Sequence, residues 1–227
     1  MAVAFPLADR VFAAVLFDLD GTLIDSTAMV QRSWAAWAAE YGVQDAQRWI
    51  RHGVPARAIV ESMAAAGVLD GYGVDEAMAR IEQIEVSAAS DGIPVLPGAA
   101  RALSAIAPER AAIVTSCTAP LAEARIRAAQ LRPPAVVVTA DQLGRGKPDP
   151  EGFLRAASAL GVDPSQCLVV EDAPAGLAAG RAAGCSLLAL TTTTVAAELS
   201  ADAFVSSLDE VDFVSSADGV RVLLVRQ

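Results

Sequence analysis

The chain has 227 residues, 54% of them apolar, with a formal net charge of −10 and a single histidine. That length suits one core carrying a sizeable insertion, and the negative balance argues against nucleic acid or an anionic membrane surface as partner, since either needs a basic face. Three cysteines, odd in number and without metal-ligand spacing, fit a reducing compartment; with no signal-like N-terminus and no apolar run long enough for a bilayer, a cytoplasmic protein is expected.

The first predicted element is a strand in "FAAVLFDLD", continued by "VLFDLDGTLID" from Val15 to Asp25. Its apolar run ends in Asp18 and Asp20, whose i, i+2 spacing points both carboxylates to one side of an extended chain. They repel each other unless a cation lies near or one of them takes a proton.

The interval from Ser26 to Pro94 carries no convincing strand and reads as helices: "AMVQRSWAAWAAEYG", "VPARAIVESMAAAG" and "VDEAMARIEQIEVSAAS". It is expected to be an inserted helical cap over residues 26–94, with residues 1–25 and 95–227 forming the core. "DGIPVLPG", with two prolines and two glycines, closes the insertion as a candidate hinge.

Four further apolar runs follow, "RAAIVTS", "PAVVVTAD", "CLVVED" and "CSLLALTT", separated by the helical segments "APLAEARIRAAQL", "DPEGFLRAASALGV" and "APAGLAAGRAAG". Continuous Val/Ile/Leu strands alternating with helices predict an α/β fold with a parallel sheet covered on both faces. At the end of the chain "DFVSSADGVRVLLV" predicts an antiparallel hairpin about Asp218-Gly219, placed on one edge of that sheet.

The inventory also removes mechanisms. One histidine cannot build a two-His metal motif, there is no G-x-S-x-G elbow, Glu123 stands where a Cys-x5-Arg phosphatase needs arginine after Cys117, and Pro148 spoils a P-loop at "GRGKPD". Carboxylate chemistry remains. In a parallel α/β sheet, ligands collect at the carboxyl ends of the strands, where this chain carries Asp18 and Asp20, Thr115-Ser116, Lys147, and Glu171-Asp172. Several carboxylates, a hydroxyl and one lysine at one edge suit a divalent metal with oxygen ligands and a phosphate.

"DLDGTL", "VTS", the lysine of "GKPDP" and "VVEDAPAGLAAG" stand in the order and spacing of the haloacid dehalogenase superfamily, which the chain resembles over nearly its whole length. Within it, the motifs most resemble the sugar- and polyol-phosphate phosphatases of the 2-deoxyglucose-6-phosphatase and glycerol-phosphatase kind. The resemblance implies a Rossmannoid parallel-sheet core with a C1-type helical cap. It also implies hydrolysis of a small phosphorylated metabolite through an aspartyl-phosphate, by an enzyme working as a monomer.

By that resemblance Asp18 is the nucleophile and Asp20 the acid/base. Mg²⁺ is held by Asp18, the backbone carbonyl of Asp20 and Asp172, with Glu171 behind them or as an alternate ligand. Ser116, helped by the Cys117 backbone N–H, and Lys147 bind the phosphoryl group. Each residue also has a plainer reading: Asp18 and Asp20 as turn residues, Lys147 as a solvated lysine, Glu171-Asp172 as helix N-terminal acids, and Ser116 as an N-cap. In the insertion, His52 and Arg57 are candidate substrate contacts, with a solvent-facing position the alternative for each, and Trp34 and Trp37 are expected to pack the insertion's own core. The competing activities are a β-phosphoglucomutase-like mutase, from whose pattern Thr22, Val30 and His52 depart, and a catalytically silent binding protein, which the intact Asp18, Asp20 and Asp172 disfavour.

Overall fold

A computed structural model describes residues 5–50, 56–69 and 71–225. Six strands form a parallel sheet: β1 (Ala14–Phe17), β2 (Ala111–Val114), β3 (Val136–Val138), β4 (Cys167–Glu171), β5 (Ser186–Leu190) and β6 (Ala203–Val205). Their order is β3-β2-β1-β4-β5-β6, so β1 lies inside the sheet between β2 and β4.

Because side chains alternate across a strand, the central strands feed both layers. Val15, Phe17, Ile113, Leu168 and Val170 enter one core with helices α4 (Ala99–Ala105) and α5 (Ala119–Ala128). Leu16, Ala112, Val114, Val169 and Leu187 enter the other, with α6 (Glu151–Leu160) and α7 (Pro174–Ala182). Both faces are therefore dry, which is why the strands read as unbroken apolar runs. Fully burying a residue such as Phe17 or Phe153 contributes about 1.5–3 kcal/mol, and both are 0% exposed.

Between β1 and β2 the chain builds the helices α1 (Thr27–Glu40), α2 (Ala56–Ala65) and α3 (Val74–Ala88), close to the three segments expected from periodicity. They share a third apolar cluster made of Trp34, Trp37, Ile59, Val60, Met63, Ala77 and Ile81. Trp37 crosses Trp34 edge-on at 5.4 Å between ring centroids, and its Nε1–H donates to the Ala77 carbonyl at 2.9 Å. Both tryptophans thus pack this layer. The chain's exit and return run side by side: Asp25 N–H donates to Pro94 O (2.9 Å) and Leu96 N–H to Leu23 O (3.0 Å).

One expectation needs correction, and one strand was not foreseen. The C-terminal hairpin, β7 (Val211–Ser216) and β8 (Gly219–Leu224), forms as expected, turning about Ala217-Asp218, one residue before the Asp-Gly pair, but it makes its own two-stranded sheet instead of extending an edge. Its apolar stripe of Val211, Phe213, Val220 and Val222 lies in the same core as β1, α4 and α5, with Phe213 edge-on to Phe17 at 5.7 Å. A hairpin with one apolar face gains more by covering a sheet than by lengthening it. The edge opposite β3 belongs to β6, a strand too short to announce itself in the sequence.

Candidate active site

The carboxyl ends of β1, β2 and β4 meet below the insertion, and there the ladder carries Asp18 in register, its N–H donating to Val170 O at 3.0 Å. Lys147, from the loop after β3, reaches back to it. Its Nζ lies 2.5 Å from Asp18 Oδ1, 2.8 Å from Glu171 Oε1 and 3.0 Å from the Val114 carbonyl. Burial would lower this ammonium's pKa, but the two carboxylates outweigh it and hold the lysine charged.

Glu171 and Asp172 are fixed from several sides. Glu171 Oε2 accepts the N–H groups of Asp172 (2.8 Å) and Ala173 (2.6 Å) at the entrance to α7. Asp172 accepts from Thr22 Oγ1 at 3.2 Å and from Thr193 Oγ1. Two glycines make room for these groups. A Cβ at Gly176 would collide with the Glu171 carboxylate, and one at Gly21, whose φ is +87°, with Asp172 and Thr193.

Carboxylate oxygens of Asp18, Glu171 and Asp172 lie within 4.8 Å of one another, and all three residues are buried. Burial drives the Asp18 pKa well above its ordinary value, Lys147 opposing and the neighbouring acids adding to the rise; Glu171 is raised for the same reasons. One ammonium set among three carboxylates leaves the cluster two positive charges short. An all-oxygen cluster with that deficit suits a divalent cation.

Asp20 sits in a second cluster. Its Oδ2 is 2.8 Å from Arg125 Nη1 and 3.1 Å from Cys117 Sγ, while its buried Oδ1 carries no hydrogen bond from a described residue. Burial pushes the Asp20 pKa up, but the Arg125 guanidinium and hydrogen bonds outweigh this and hold it below the usual value. Arg125 Nη2 continues to Glu85 Oε2 on α3, 3.2 Å away. Burial lifts Glu85 from 4.5 to about 7, against the pull of Arg125.

Both clusters border one cleft of about 390 Å³. Asp18, Asp20, Ser116 and Asp172 line its floor, while Val30, Trp34, Ile59, Met78 and Ile81 give the wall contributed by the insertion a mainly apolar character. Glu82 on α3 also lines it and accepts a hydrogen bond from Thr118 Oγ1 (2.6 Å).

The structure therefore brings together Asp18, Asp20, Ser116, Lys147, Glu171 and Asp172. Ser116 is exposed on the floor, whereas the Cys117 N–H, expected to face a phosphate, donates instead to Thr115 Oγ1 at 3.1 Å. Arg57 does not line the cleft; it is half exposed and pairs with Asp75 (2.9 Å) and Glu61 (3.7 Å). His52 lies outside the described residues. Sequence reasoning missed Arg125 and Glu85. Their signal was a charge on a buried helical stripe: Arg125 follows Leu121 and Ala122 and precedes Ile126 on α5, and Glu85 follows Ala77 and Ile81 on α3.

Comparison with known proteins places the chain in a family. Residues 12–184 match the family model of haloacid dehalogenase-like hydrolases. The chain is 38% identical over 209 residues to hexitol phosphatase A of Escherichia coli (strain K12), covering 90% of this chain and 95% of that one. It is 36% identical to validoxylamine A 7'-phosphate phosphatase of Streptomyces hygroscopicus subsp. limoneus, covering 88% and 96%. Among solved structures, a hydrolase from Pseudomonas syringae superposes with a TM-score of 0.75 at 25% identity, covering 87% of this chain and 94% of that one. With its sheet, its carboxylates at the strand ends and a family match over most of its length, the chain belongs to the haloacid dehalogenase-like hydrolases.

Proposed function

We propose that the protein is a Mg²⁺-dependent phosphomonoester hydrolase acting on a small phosphorylated sugar or polyol, with residues 26–94 as a cap over a core of residues 1–25 and 95–227. The observation that carries the reading is the set of buried Asp18, Glu171 and Asp172 around the partly buried Lys147 at the floor of a cleft roofed by α1 and α3. Relatives named as phosphatases of a hexitol and of validoxylamine A 7'-phosphate, each matched nearly end to end, support the substrate class.

In this reading Asp18 attacks phosphorus and receives the phosphoryl group. Asp20 gives a proton to the departing alkoxide and then takes one from the water that hydrolyses the aspartyl-phosphate. Lys147 and the Ser116 hydroxyl bind the phosphoryl oxygens, since phosphoryl transfer is mostly positioning and charge stabilisation. Asp18, the Asp20 backbone carbonyl and Asp172 would hold Mg²⁺, with Glu171 beside them, and the ion would supply the positive charge the cluster lacks. The α1 and α3 wall excludes water and meets the leaving group.

The test is phosphate release from hexitol, hexose, deoxyhexose and glycerol phosphates, with phosphoglycolate and β-glucose 1-phosphate alongside. Release from sugar or polyol phosphates that stops with EDTA and returns with Mg²⁺ is expected. Isomerisation of β-glucose 1-phosphate without release, or release indifferent to EDTA, would overturn the reading.

A further inference from the structure

Arg125 and Glu85 bind neither metal nor phosphate in the scheme above, yet both are buried beside the cleft, at 5% and 7% exposure. A buried guanidinium persists only where partners offset its lost hydration. Arg125 has two: Asp20 Oδ2 from the core, at 2.8 Å, and Glu85 Oε2 from the insertion, at 3.2 Å. Arginine's planar fork sets both carboxylates in one geometry, which a lysine's point charge cannot do as well. Cys117 Sγ, 3.0 Å from Nη1 and 3.1 Å from Asp20 Oδ2, closes the group. A second polar link from α3, Glu82 to Thr118, meets the core just before α5 begins.

We propose that Arg125 is a positioning residue: by anchoring Asp20 Oδ2 it fixes how this carboxylate presents Oδ1 beside the cleft, and through Glu85 it ties that orientation to α3 lying over the sheet. The inference rests on the phosphatase reading. In the first step the Asp18 oxygen–phosphorus bond forms, the phosphorus–alkoxide bond breaks, and the proton on Asp20 Oδ1 passes to the alkoxide. In the second, water oxygen bonds to phosphorus, its proton returns to Oδ1, and the Asp18–phosphate bond breaks. Proton transfer is then efficient only while the insertion is seated, which couples it to exclusion of solvent.

An alkoxide needs that proton to depart, whereas p-nitrophenolate does not, so the leaving group separates positioning from general damage. First-turnover substrate consumption is measured for wild type, R125Q, R125K and E85A, on the best alkyl phosphate and on p-nitrophenyl phosphate. For R125Q the expected loss is about tenfold to a hundredfold on the alkyl ester and within about threefold on the aryl ester. R125K should recover part of the alkyl rate, and E85A should show a smaller loss with the same leaving-group dependence.

Equal losses on both esters, a wild-type alkyl rate in R125Q, or R125K no better than R125Q would overturn the proposal. Should R125Q fail to fold, R125K and E85A carry the same comparison. Wild-type enzyme that turns over neither ester, or D18N that turns over both, would count against the phosphatase reading itself; leaving-group-independent losses in an active enzyme count against Arg125 alone.

Discussion

Two cations organise the site, the buried Arg125 and the partly buried Lys147, and they differ in what they join. Lys147 binds Asp18 and Glu171, both at strand ends of one sheet, so its cluster is complete within the core. Arg125 binds Asp20 from the core and Glu85 from α3, so its cluster exists only where the insertion meets the sheet. In the proposed function the first cluster would serve phosphate and metal chemistry, and the second would make the proton-handling carboxylate answer to the insertion. A point charge suffices for the one, and a planar fork serves the other.

The sharpest way to break the comparison is at the proposed nucleophile. Asp18→Asn should lower phosphate release by a thousandfold or more, on the order of what removing a catalytic nucleophile costs elsewhere, with an unchanged circular dichroism spectrum. Wild-type-like turnover would remove Asp18 from its role. Next comes the core cation. Lys147→Met leaves two buried carboxylates without their partner, a loss of about 3–5 kcal/mol in denaturant unfolding, and added Mg²⁺ should restore part of it by binding the native cluster. A variant as stable as wild type would show that the lysine does not hold the cluster.

The insertion-side cluster should show itself in pH. Glu85 is raised from 4.5 to about 7 in the folded protein, so the native state binds its proton more tightly than the unfolded chain does. Its contribution is fully present below about pH 4.5 and is lost as pH rises through about 7, roughly 3 kcal/mol in all. Wild type should therefore lose stability relative to Glu85→Gln across that window, whereas parallel pH profiles would contradict the raised value. The smallest effect belongs to Arg57, whose exposed pairs with Asp75 and Glu61 lie away from the cleft. Arg57→Ala should cost below about 1 kcal/mol and leave KM unchanged; a large rise in KM would return Arg57 to the substrate.

The α/β core and the helical segments were legible because each layer imposes a period. Strands buried on both faces are continuous apolar runs, and Trp34, Trp37, Ala77 and Ile81 repeat at helical spacing. What the pattern could not say is against what a face packs. The two strand-like runs of "DFVSSADGVRVLLV" announced a hairpin, but not that Val211 and Phe213 would face inward over β1. β6 offers three residues, with Phe204 exposed, too little for a periodic signal.

The same divide runs through the site. Asp18, Glu171 and Asp172 stood out as charges at the ends of apolar strands, and Lys147 only through its place in "GKPDP" beside the other motifs. Arg125 lies among other charges in "EARIRAAQ", where an arginine normally reads as solvated. Only its alignment with Leu121, Ala122 and Ile126 set it apart, and only the fold supplied Glu85 as its partner. Arg57, by contrast, looked like a substrate contact for its charge alone; α2 turns Ile59, Val60 and Met63 inward and leaves Arg57 beside Glu61 on the outside.

The central claim is that Asp18 carries the phosphoryl group between substrate and water. Enzyme quenched in acid during steady-state turnover with Mg²⁺, then treated with borohydride, tests it directly, because reduction converts an aspartyl-phosphate to homoserine that peptide mass spectrometry can locate. Homoserine at position 18, present only when substrate was supplied, is the predicted result. Continued turnover with position 18 unmodified, or homoserine at another aspartate, would contradict it.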